Sequence, residues 1–219
     1  MQAKLQNQSV FNIAVLVAAL GYFVDIYDLL LFAIIRIESL ASFGLSPEQV
    51  KIEGEAILQW QMAGLMIGGI IAGVIADKKG RLTVLFGSIL FYSLANIANG
   101  MVTTVEQYKV IRFLAGLGLA GELGVGITLV SELIKKEKRG ISTSLVAGIG
   151  LTGAVVAYFM KENFHWRTCY YIGGGLGMLL LILRISVFES GMFKEVKKMD
   201  VQRGNFFMLF TNGDRFKRY

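Results

Sequence analysis

The chain has 219 residues, 54% of them hydrophobic and 17% charged, with 26 glycines and a single proline. A mean hydropathy of +0.58 excludes an ordinary water-soluble domain. The formal net charge of +6 could suit nucleic acid, but no basic patch interleaves with exposed aromatics, so no nucleic-acid partner is expected.

A helix needs about 20 mostly apolar residues to cross a hydrocarbon layer of roughly 30 Å. Segments of that kind are predicted at 11–35, 54–76, 82–101, 108–133, 141–160 and 168–188. Runs such as Gly173 to Ile185 are continuously apolar, without the alternation of a membrane barrel. The predicted fold class is therefore all-α, a polytopic six-helix bundle over residues 1–190. Residues 191–219 mix Lys and Arg with Phe206, Phe207 and Phe210, as expected of a basic, amphipathic segment or linker lying at the membrane surface.

The first segment is too long for the core of a signal peptide and is read as a retained helix. It carries Asp25 and Asp28, about one turn apart, with Tyr22 and Tyr27 beside them. The second segment holds Gly64, Gly68, Gly69 and Gly73, whose four-residue spacings predict close helix packing. It runs directly into Asp77, Lys78, Lys79, Gly80 and Arg81, a compact charged turn that marks a membrane boundary.

The fourth segment carries Arg112 and Glu122, about 15 Å apart along the axis and unable to pair with each other. Between them Gly116, Gly118 and Gly121 match a dinucleotide-binding pattern. That pattern needs a preceding strand and a helix start, so mid-helix these glycines are expected to serve packing. An ionisable group at the bilayer centre costs on the order of 3 kcal/mol. Arg112 therefore needs a carboxylate from elsewhere, with Asp28 or Asp25 as candidates.

His165 is the single histidine and Cys169 the single cysteine, in or beside the loop before Trp166. Neither a metal site nor a nucleophile arrangement is available, so no enzyme and no cofactor are expected. Lysine and arginine collect after the second, fourth and sixth segments, which predicts that both termini are cytoplasmic.

The spacing from Gly73 through Asp77, Lys78, Gly80 and Arg81 resembles the signature between the second and third helices of the major facilitator superfamily. Asp25, Tyr27 and Asp28 resemble the first-helix motif of its proton-coupled metabolite symporters, and Arg112 through Glu122 is similar to their fourth helix. Ser131-Glu132, Lys138-Arg139-Gly140, Trp166-Arg167 and Phe188-Glu189-Ser190 continue the series in family order.

The resemblance implies alternating-access transport of a small metabolite such as an organic acid across the plasma membrane. Asp25, Asp28 or Glu122 would carry the proton and Arg112 would couple it to movement. Gly73, Asp77, Lys78, Gly80, Arg81, Glu132 and Arg139 would form a cytoplasmic gate. The family usually has twelve helices and six are read here, which implies a half transporter. Such a half, alone, is expected to leave Asp25, Arg112 and Glu122 facing lipid, and so to form a homodimer or to join a second six-helix half. The competing expectation is a nontransporting half subunit or membrane interaction protein.

Overall fold

The computed structural model describes residues 13–133 and 136–189, with the side chains at 13–14, 81–82, 123–133, 136–139 and 187–189 outside the description. The predicted segment 191–219 lies outside the described residues. Among those described, the chain forms six helices: α1 (Ile13–Ala41), α2 (Pro47–Lys79), α3 (Arg81–Met101), α4 (Val105–Leu133), α5 (Lys136–Asn163) and α6 (Trp166–Glu189).

Most helices outrun the apolar segments that predict them, because a helix can continue into the polar interface beyond its apolar stretch. At the start of α2 the cap is explicit. The Gln49 N–H donates to Ser46 Oγ at 3.4 Å, the Ser46 N–H donates to Gln49 Oε1 at 2.9 Å, and Pro47 fills the first helical position. Gly80 separates α2 from α3 at φ 93°, a backbone region that side chains disfavour, and its N–H donates to the Ala76 carbonyl at 2.9 Å.

The two sets of three helices interleave. α2 packs on α4, α1 on α5, and α3 on both α4 and α6, while α1 also touches α6 and α4. Glycines let backbones meet where α2 crosses α4. A Cβ at Gly64 would strike the Phe113 carbonyl, one at Gly68 would strike Leu117, and one at Gly116 would strike the Gln61 carbonyl. Gly118 and Gly121 abut Tyr92 and Ser88 of α3 in the same way, so the glycine run of α4 serves packing.

The packing expectation fails for Gly69 and Gly73, where an added Cβ would meet nothing within 4 Å. Five residues rotate a helix by roughly 140°, so this second glycine pair points away from α4. It lies on the exposed side of α2 with Met66 and Ile70.

Five helices (α1, α2, α3, α5 and α6) are long and apolar enough to cross a membrane over their described residues. At 29 residues, α4 has the length to do the same. The chain is an integral membrane protein.

Gly64→Ala should destabilise the bundle by about 1–3 kcal/mol through overpacking against α4. Gly69→Ala should be neutral or slightly stabilising, because a helical alanine gains roughly 0.5–1 kcal/mol over glycine. Thermal unfolding of the two variants in detergent separates these outcomes.

Candidate functional site

The ionisable residues singled out in the first and fourth segments are all buried inside the six helices. Asp28 and Arg112 are 0% exposed, Asp25 and Glu122 2%. A fifth charge, Arg184 on α6, is equally buried at 2%. The expectation that a lone half exposes Asp25, Arg112 and Glu122 to lipid is therefore wrong. Its flaw is physical: neighbouring helices within the same bundle supply the partners.

Arg112 closes the first cluster. Its Nη1 donates to Asp28 Oδ1 at 3.2 Å, and its Nη2 donates to the Asp28 carbonyl at 3.2 Å and to Gln61 Oε1 at 3.0 Å. The guanidinium also lies 5.5 Å from the ring centroids of Phe32 and Tyr170. Of the two candidate partners on α1, Asp28 is the one that pairs, joining α1 to α4 with α2 as a third support.

Arg184 closes the second. Its Nη1 donates to Glu122 Oε2 at 2.8 Å and its Nη2 lies 2.5 Å from Glu122 Oε1, a two-pronged pair between α6 and α4. The same Nη2 reaches the Val17 carbonyl of α1 at 3.5 Å. The pair rests on Gly21, where any Cβ would overlap Arg184 Nη2 and stand 2.6 Å from Glu122 Oε1. Asp25 has no described cation bonded to it, and its Oδ1 is buried without a hydrogen-bond partner.

The two tyrosines of α1 serve other contacts. Tyr27 is fully buried and donates its hydroxyl to the Cys169 carbonyl of α6 at 2.9 Å. Tyr22 is half-buried, its ring against Gly150 of α5.

Of the gate residues, Gly73, Asp77, Lys78 and Gly80 are exposed near the end of α2. The side chains of Arg81, Glu132 and Arg139 lie outside the described residues. His165 is exposed in the α5–α6 turn, where its Nδ1 accepts from the Arg167 N–H at 3.4 Å.

Sequence reasoning missed Arg184, Gln61 and Gly21. Arg184 sits near the end of its apolar run, where an arginine reads as an interface residue. Gln61 is an uncharged polar residue in an apolar run, a weak signal. Gly21 has no signal without knowledge of what packs on it.

Comparison with known proteins agrees with this geometry. The chain is 33% identical to the niacin transporter NiaP of Acinetobacter baylyi, over 80% of this chain and 40% of that protein. It is 30% identical to the sialic acid transporter NanX of Escherichia coli, over 84% of this chain and 45% of NanX. It thus spans less than half the length of these relatives. A solved structure of the proton:xylose symporter XylE superposes with a TM-score of 0.69 at 19% identity, covering 79% of this chain and 44% of XylE, a likeness of fold. The Major Facilitator Superfamily profile matches residues 11–211, and the chain belongs to that superfamily.

Proposed function

We propose that this chain is the six-helix unit of a proton-coupled secondary transporter that moves a small carboxylate by alternating access. The observation that carries this reading is a count of buried charge among the described residues: Asp25, Asp28 and Glu122 against Arg112 and Arg184. With every group ionised the set holds one negative charge more than it can pair, and a single bound proton makes it neutral. An unpaired charge at membrane depth is costly, so a bundle built this way has a place for one proton.

Asp25, Asp28 or Glu122 carries the proton in this reading, and Arg112 couples it to movement because it ties α1 to α4 across the two interleaved sets. Ion pairs between packed helices can exchange partners between two arrangements, which is what alternating access requires. Gly73, Asp77, Lys78, Gly80, Arg81, Glu132 and Arg139 form the gate at the Gly80 end. The positive residues at that end favour a cytoplasmic position for it and for both termini, with the bundle in the plasma membrane.

A carboxylate substrate is favoured by the relatives, since niacin, sialic acid and the cargo of the benzoate transport protein of Acinetobacter baylyi are all carboxylic acids. The relatives' greater length supports a second six-helix unit, from another copy or a separate half, as the other wall of the substrate path. Tyr22, half-buried on α1, is available to that path, whereas Tyr27 is committed to α6.

The two ion pairs closed within the bundle also suit a subunit that packs without transporting. Asp25→Asn or Glu122→Gln should abolish proton-coupled uptake of a small carboxylate in liposomes. Wild-type coupling in both variants would remove Asp25 and Glu122 as proton carriers, whereas a wild-type chain that takes up no carboxylate would leave the packing role. Arg112→Leu, which strands the Asp28 carboxylate, should cost roughly 3–5 kcal/mol of stability in denaturant titration. Combining it with Asp28→Leu should recover most of that loss.

A further inference from the structure

Around Gly21 the structure brings together a spare hydrogen-bond donor and a spare acceptor. The Nη1 and Nη2 atoms of Arg184 hold Glu122, and its Nε is buried with no partner. Asp25 lies four residues beyond Gly21, on the same stripe of α1, roughly 6 Å along the axis from the seat of the ion pair. Its Oδ1 is the unpartnered buried acceptor. Asp25 lies within electrostatic range of Glu122, Arg184 and Asp28.

A guanidinium presents five donors in a rigid fork, so one arginine can bind two carboxylates on different edges. We propose that Asp25, Glu122 and Arg184 form a single proton-binding site in which two carboxylates share one arginine, and in which the proton decides how α6 is held. With a proton on Asp25, Arg184 belongs wholly to Glu122, the arrangement observed, and α6 is tied to α4. When that proton leaves to water, the Asp25 carboxylate takes the free Nε edge and draws α6 toward α1.

Three features favour this site over an inert ion pair. The Nη2 of Arg184 already touches α1 at the Val17 carbonyl, so the side chain bears on α1 as well as on α4. Gly21, where any Cβ would overlap Arg184 Nη2, lets the guanidinium lie directly against α1. Arg112, the other buried cation among the described residues, holds Asp28 and Gln61 with its Nη atoms. The groups facing Asp25 are Glu122 from α4, Arg184 from α6, Asp28 from α1 itself and the buried Tyr92 from α3, whose hydroxyl is also unpartnered.

The proposal rests on the proton-coupled reading but is tested without transport. The full chain, with isotope-labelled aspartate, is reconstituted in lipid nanodiscs and its protonated-carboxyl infrared band is followed across a pH titration. Asp25→Asn identifies the Asp25 band by its loss. Glu122→Gln, which frees Arg184 for Asp25, should displace the midpoint of that band toward acid by about one pH unit or more. Glu122→Gln combined with Arg184→Gln keeps the cluster's charge balanced and removes the shared cation, so the midpoint should move the opposite way. A midpoint identical in wild type and the double variant would overturn the proposal, even if the single variant failed to fold. Opposite displacements in a chain that moves no protons with solute would uphold the shared site and remove the transport reading.

Discussion

Two arginines buried in one bundle, each closed by a carboxylate from another helix, constrain everything else in this protein. Removing one partner from a buried pair strands a charge and costs roughly 3–5 kcal/mol, so the helices bearing Asp28, Arg112, Glu122 and Arg184 cannot drift apart independently. The two pairs share a wall. Arg112 and Arg184 both bond to α1, the first at Asp28 and the second at the Val17 carbonyl, so α1 stands between the charge clusters and senses both.

Backbone proximity makes those pairs possible. The α2–α4 crossing places Gly64, Gly68 and Gly116 against opposing backbone, which brings Gln61 within 3.0 Å of Arg112. Gly21 does the same for Glu122 and Arg184. The polar pairing and the small-residue packing are thus one arrangement: bulk at these glycines would separate the helices and leave the charges unpaired. The outward faces of α2 and α5 lie outside it, and the spans there are the least buried of the five.

Much of this was legible in the sequence, because hydrophobic length sets helix number and the cost of buried charge points to its partners. Counting depth along α4 was enough to send Arg112 to α1, and Asp28 proved to be its partner. The same counting missed Arg184, since an arginine near the end of an apolar run looks like an interface anchor until Glu122 is seen to reach it. Lipid-facing charges are what a half taken as one open wall of a cavity implies, but the helices of this bundle bury Asp25, Arg112 and Glu122 among themselves. Gly69 and Gly73 show another limit: four-residue spacing predicts a smooth helix face but not what meets it. The start of α2 lies before its apolar segment because Ser46 and Gln49 cap the helix there.

The central claim is that an odd buried carboxylate gives this bundle a place for one proton and that transport uses it. It is met most directly by liposomes containing the purified chain and an external pH-sensitive dye, challenged with small carboxylates beside sugars and zwitterions. The account predicts that a solute taken up carries protons with it, so that its addition turns the outside alkaline. Uptake that leaves the dye unchanged would contradict it.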